Sequence, residues 1–239
     1  MERYLKETRM LDFSNPEIRA LVDRRGWRRS GETERVKEIY HFCKDGIPFG
    51  YNADTDDMPA SEVLKEGIGH CNSKSTLFMA LLRTVGVPCR IHGFTIYKQL
   101  QKGAMGTVPY LLAPEEIIHT WVEVCLNGKW ISLEGVILDD AYLCGVQQAF
   151  KNVDGPFCGY AIATDSLKDP QVRFNGESTF IQKEGIARDF GVFDSPDDFY
   201  EHHGTNLSGV KRLLYKAIVH KLMNANIRKI REKRLNVGG

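Results

Sequence analysis

Apolar side chains recur at helical spacing through the first third of the chain. Ser14-Asn15-Pro16-Glu17 supplies an N-cap, a first-turn proline and a carboxylate at the positive helix end, and predicts a helix running to about Arg25. Val36, Ile39, Tyr40 and Cys43 share one stripe and predict a second helix from about Glu32 to Lys44, which Gly46-Ile47-Pro48 stops. A polar loop, Asn52 to Met58, follows, and Ser61 can cap a short turn carrying Val63 and Leu64. From Asn72 to Val85 the apolar face widens to include Leu77, Phe78, Ala80, Leu81 and Leu82, with Gly86 in the stop position. That breadth predicts a central, buried helix.

Beyond it the period changes. Cys89 to Tyr97 reads as a strand, and Ile117 to Glu134 as a hairpin turning at Asn127-Gly128. Asn175-Gly176 predicts a second hairpin joining Gln171–Phe174 to Glu177–Ile181. Ser195-Pro196-Asp197-Asp198 opens a short helix, and about Ser208 to Arg234 forms a long last one. Helices followed by antiparallel strands predict an α+β fold in a single domain over 1–239, with a core at about 31–145 and a C-terminal hairpin and helical extension at about 146–239.

Charge changes the picture only at the C-terminal end. The net charge is +1, yet from Asn206 onward nine basic residues face Glu232 alone, a net of +8 that leaves the preceding body at −7. A solvated helix end that suits the C-terminal dipole accounts for the basic run from Arg228 to Arg234, so neither nucleic acid nor membrane is expected as a partner. The stripe Val210, Leu213, Leu214, Ala217, Ile218 and Leu222 is expected to pack on the domain itself. The six cysteines lie singly and read as reduced thiols, and Met1 to Met10 lacks the apolar run of a signal peptide; the expected location is cytoplasmic.

Cys71 follows Gly67-Ile68-Gly69-His70 and sits where a loop becomes the first turn of the central helix. Free N–H groups and the positive dipole end favour a thiolate there, lowering its pKa from about 8.5 toward neutrality, and the same amides could receive an oxyanion. Such a thiolate needs a base. With a two-residue turn, Leu126 faces Lys129, Cys125 faces Trp130, Glu123 faces Ser132 and Trp121 faces Glu134. His119 then shares a face with Trp121 and lies diagonal to Glu134, about 7–8 Å away at the backbone and within side-chain reach. Val122, Val124, Ile131 and Leu133 take the other face, toward the Cys71 helix.

Three blocks carry a family resemblance: Gly69-His70-Cys71 with the helix ending Leu81-Leu82-Arg83-Thr84-Val85-Gly86-Val87-Pro88-Cys89-Arg90; His119-Thr120-Trp121-Val122-Glu123-Val124; and Trp130-Ile131-Ser132-Leu133-Glu134. In order and spacing, over roughly Val63 to Asp140, they resemble the transglutaminase-like core. The resemblance implies a papain-like fold and a Cys-His-Asp triad that transfers acyl groups from amides to amines or water, here Cys71 as nucleophile and His119 as base and acid. The family's aspartate position holds Glu134, followed by Gly135 where proline is common. Glu134 is therefore the expected orienting carboxylate, with Asp139 or Asp140 as alternatives, and Tyr51 is a further candidate for the oxyanion site. No cofactor or metal is expected, and the substrate is a peptide, protein or other amide, with hydrolysis favoured because no acidic calcium loop occurs and the chain lacks room for the domains of large crosslinking members. Crosslinking transfer and a non-catalytic binding module on the same fold are the alternatives; oligomeric state is not readable.

Two other patterns carry less. His70-Cys71 with Cys89 and His92 lacks the CxxC spacing of zinc sites, and Asp189-Phe190-Gly191 has neither glycine loop nor catalytic loop to make it a kinase motif. The connection Gln99 to Glu116, with two glycines and two prolines, is either a lid near the site or a plain insertion.

Overall fold

The computed structural model describes residues 1–233; Arg234, the last of the basic run, lies outside them. Helices α1 (Pro16–Arg25), α2 (Glu32–His41) and α3 (Ala60–Glu66) pack on α4 (Cys71–Thr84). There follow β1 (Cys89–Tyr97), α5 (Thr107–Leu112), β2 (Glu116–Leu126), β3 (Lys129–Ser132), α6 (Asp140–Ala149), the short pair β4 (Phe157–Gly159) and β5 (Ile162–Thr164), and β6 (Ile186–Phe193). The chain ends in α7 (Pro196–His203), α8 (Gly209–Leu214) and α9 (His220–Arg231), the last two joined by a π-turn over Tyr215–Val219. β3, β2, β1 and β6 form one antiparallel sheet in that order, and α4 packs against β2. This is an α+β architecture, with helices packed on a four-stranded antiparallel sheet.

Local chemistry sets the ends of these elements. Asn15 caps α1 by accepting the N–H of Glu17 at 2.9 Å, and Ser195 caps α7 by accepting that of Asp198 at 3.2 Å. The turn Asn127-Gly128 holds both residues at positive φ, 50° and 78°, as a type I′ turn requires. Ser61 does not act as a cap: α3 begins one residue earlier, and the Ser61 hydroxyl and N–H both bond Asp12. Every residue of α4 from Asn72 to Arg83 is buried, including two cations. Arg83 donates through its two terminal nitrogens to the carbonyls of Lys6, Cys89 and Asp194, and Lys74 Nζ to those of Lys44 and Ile137 at 3.0 and 2.9 Å. Burial lowers the Lys74 pKa to about 7.

Two sequence expectations need correction. Gln171–Ile181 forms no two-stranded ladder; a single bond from Phe180 N–H to the Gln171 carbonyl (2.8 Å) closes the reversal, and Thr179 instead bridges Leu133 beyond the edge of β3. The regular strands of this half are β4, β5 and β6, and Asp189-Phe190-Gly191 lies within β6. Nor does the apolar stripe of the last helix face the domain: Val210, Leu213, Leu214, Ile218 and Leu222 are each more than half exposed, while Tyr215, Met223, Ile227 and Ile230 are buried. Beyond Tyr215–Val219 the π-turn contributes, because its extra residue rotates the following helix and turns Met223 inward in place of Leu222.

On the sheet surface His92 joins Glu123 (Nδ1 to Oε1, 2.9 Å) and Asp189 (Nε2 to Oδ1, 2.7 Å), and Arg90 also pairs with Glu123 at 2.7 Å. Burial alone would lower the His92 pKa, but the two carboxylates outweigh it and hold it above its usual value. A folded-state pKa above the unfolded one gives stability that is complete below about pH 6.5 and is lost as pH rises through the folded value. The expected stability difference between wild type and His92→Gln is therefore about 0.5–1 kcal/mol at pH 6, the scale of a partly exposed ion pair, shrinking toward pH 8.5. Urea unfolding midpoints of the two proteins across this range check it, and a constant or widening difference would refute the assignment.

Candidate active site

Cys71 opens α4, and its half-buried thiol lies in the lining of a cavity of about 370 Å³. Two staples hold β2 against this first turn: Asn72 Nδ2 donates to the Ile118 carbonyl at 3.1 Å, and Thr120 Oγ1 donates to Asn72 Oδ1 at 3.1 Å. His119 lies between them in sequence, so its position relative to the helix start is fixed on both sides. Its ring is fully buried and stands edge-on against Phe94, 4.7 Å between centroids, its cross-strand partner in β1.

Glu134 reaches His119 by a route the expected register does not describe. Pairing from Leu126–Lys129 through Glu123–Ser132 is as the turn dictates, but the expected Trp121–Glu134 pair does not form. The chain leaves the ladder into a 3₁₀ turn, Glu134–Val136, and there Glu134 Oε1 lies 3.4 Å from His119 Nε2 with both side chains fully buried. A stretch far along the sequence holds the carboxylate: Oε2 accepts the N–H groups of Ile181 and Gln182, each at 2.9 Å. Gly135 donates its N–H to Thr179 Oγ1 at 3.1 Å, and a Cβ there would stand 2.5 Å from the Tyr40 hydroxyl. Proline, common at this place in the family, has neither the N–H nor the space.

Asp139 and Asp140 are occupied elsewhere. Asp139 caps α6, accepts the N–H of Phe49 and forms a two-pronged pair with Arg231 at 3.1 and 2.7 Å; Asp140 pairs with Lys44. Tyr51 lines the cavity, and its hydroxyl donates to Gln101 Oε1 at 3.0 Å. Cys89 donates to the Met79 carbonyl and His92 is held between its two carboxylates, so the cysteine and histidine considered beside His70 and Cys71 are engaged away from them.

The thiol itself departs from expectation. Burial pushes the Cys71 pKa well above its ordinary value, and Asp56 and Glu134 add to this; the main-chain N–H groups of Asn72 and Thr120, which hydrogen-bond the sulfur, act the other way and lose. The thiol is therefore held in its neutral form. Among the described residues neither nitrogen of the His119 ring makes a hydrogen bond; Nε2 has Glu134 Oε1 beside it, so a proton on Nε2 facing that carboxylate leaves the lone pair on Nδ1.

Sequence reasoning missed His70. Its Nδ1 is 3.9 Å from Cys71 Sγ, and its ring stacks near Tyr51 and hydrogen-bonds the Thr55 carbonyl. Burial keeps its pKa below normal, so it presents a neutral imidazole to the thiol. Asp56 is the other missed group: Oδ1 accepts from Asn72 and Asn206 at 2.7 and 3.3 Å, and Oδ2 accepts the Asn206 N–H at 2.8 Å. Its preceding residue, Thr55, is a β-branched side chain held at φ 65°, a strained conformation of the sort that gathers at functional sites. That strain could not be read from sequence.

The family model described as the transglutaminase-like superfamily matches residues 20–135. Curated proteins give no match. A solved structure from Cytophaga hutchinsonii, described as a candidate cysteine protease, aligns at 13% identity with a TM-score of 0.44, over 82% of this chain and 47% of its own, so the chain spans about half that protein's length. With the family model running through the helix that begins at Cys71, the strand that carries His119 and the position of Glu134, this chain contains a domain of the transglutaminase-like superfamily.

Proposed function

We propose that the protein is a cysteine enzyme that cleaves an amide through an acyl thioester on Cys71, with His119 moving the proton and Glu134 orienting His119. The observation that carries this reading is the fully buried His119–Glu134 contact at 3.4 Å, with Nδ1 unpartnered among the described residues and the strand stapled to the helix that Cys71 begins. A buried carboxylate beside one imidazole nitrogen fixes the tautomer and stabilises the imidazolium formed in the reaction. In the first half-reaction His119 Nδ1 takes the thiol proton as Sγ bonds to the carbonyl carbon, the C–N bond breaks, and the proton passes to the departing amine. In the second, water gives a proton to His119 and attacks the thioester; the C–S bond breaks and the thiol is restored with a free carboxylic acid. The N–H of Cys71, at the start of α4, is suited to the oxyanion. Tyr51 would act there through Gln101, whose amide it grips.

The test is acylation by a nitrophenyl acetate, followed by intact-mass spectrometry and peptide mapping. Wild type is expected to carry one acetyl group on Cys71, formed about 10²-fold faster than in His119→Ala. The elevated Cys71 pKa favours a second reading, a binding module with an unactivated thiol. Acetylation of Cys71 no faster than of the exposed Cys158 would establish that second reading in place of the first.

A further inference from the structure

We infer that the cavity over Cys71 takes a small substrate with an apolar body and one polar, reacting end, a hydrophobic amide or ester and not an extended polypeptide; this rests on the catalytic reading above for the fate of the substrate, though not for its binding. The division is in the walls. The polar lining, which includes His70, Asn72, Asp56 and Gln101 with Gln182 and Asn206, accompanies the thiol, whereas Met105, Pro109, Leu112, Leu214, Val219 and Met223 supply a mostly apolar remainder that Lys211 interrupts. The Asp56 carboxylate asks for no cation, because Asn72 and Asn206 occupy both its oxygens. About 370 Å³ is the size of a small-molecule pocket.

The apolar walls come from two elements, the α5 connection and the rod from α8 to α9, and the rod is fastened down. Asn224 makes a two-way pair with the main chain of Tyr51 (2.8 and 2.9 Å), Asn226 donates to the Gly103 and Ala104 carbonyls (2.6 and 2.8 Å), and Arg231 holds Asp139 and the Phe49 carbonyl. A polypeptide threaded past Cys71 would break these bonds and expose Met223 and Tyr215. Its backbone N–H and C=O groups would also meet walls with few partners for them. An alkyl or aryl body satisfies the same walls without either cost.

A series of acetyl, butanoyl, hexanoyl and octanoyl nitroanilides tests this, together with binding of the matching N-methyl amides to Cys71→Ala by calorimetry. Expected is a rise in kcat/KM, and in affinity, of about fourfold per methylene until the cavity is full. The ratio of octanoyl to acetyl rates should fall several-fold in Leu112→Asn and Leu214→Asn, both more than half exposed and therefore safe for the fold. A flat series, or blocked peptides turned over faster than octanoyl anilide, overturns the inference while leaving the catalytic reading intact. Graded binding to Cys71→Ala without turnover by wild type would sustain the inference and sink the catalytic reading.

Discussion

Glu134→Gln is expected to lower amide turnover by about 10²–10⁴-fold, the range for a triad whose imidazole is held in the wrong tautomer, with little change in thermal stability. The side chain is already committed at one oxygen: Oε2 accepts two main-chain N–H groups, from Ile181 and Gln182. Only an oxygen can take that place, so the glutamine must turn its NH₂ toward His119. Nε2 then has to accept, the ring proton moves to Nδ1, and the nitrogen needed for the thiol proton no longer has a lone pair. The lost charge also withdraws support from the imidazolium. Glu134→Ala is the poorer experiment, since it leaves two buried donors unpaired at about 1–3 kcal/mol each and confuses stability with chemistry. Glu134→Asp keeps the charge but cannot span both contacts, and should fall between. Steady-state kinetics on an activated anilide, with the ring-nitrogen shifts of His119 by NMR, decide the matter: Nδ1 protonation with lost turnover is the expected pair of results, and turnover within threefold of wild type would remove Glu134 from the mechanism.

How far the sequence alone reaches is clearest around this residue. The β2–β3 register follows from a period of two and a two-residue turn, both local, and it is correct through Ser132. What fixes Glu134 is not local: Thr179, Ile181 and Gln182 lie some 45 residues away in a stretch without regular pairing, and no periodicity announces it. The thiol is a similar case. A helix start argues for a low pKa, yet the effect of dipole and amides is outweighed by burial under a roof contributed by α5 and α8–α9. The amphipathic pattern of the last helix reveals two faces, but the π-turn that rotates the part beyond Tyr215–Val219 is not announced by any window of sequence.

Gly145→Ala should destabilise the protein and loosen the roof over Cys71, although alanine is the better helix former by about 1 kcal/mol. On an exposed face that propensity gain would decide the sign. Here a Cβ on Gly145 would stand 2.1 Å from the carbonyl oxygen of Ile230, where α6 crosses α9. The obstacle is main chain, so no rotamer change relieves it, and α9 cannot slide aside freely while Asn224, Asn226 and Arg231 pin it to three other segments. Overpacking of this kind costs about 1–3 kcal/mol or somewhat more, which exceeds the propensity gain and leaves a net loss of about 1–2 kcal/mol. The helix should yield before the core does, because the atoms a Cβ on Gly145 would meet are the main chain of Ile230 and Arg231. Two readouts should therefore move together: a lower urea midpoint, and faster labelling of Cys71 by a bulky maleimide relative to iodoacetamide, since only the larger reagent needs the roof displaced. An unchanged or raised midpoint would mean that α9 is held far more loosely than its buried contacts require. A lowered midpoint with unchanged maleimide selectivity would instead separate the stability of the C-terminal helix from access to the thiol.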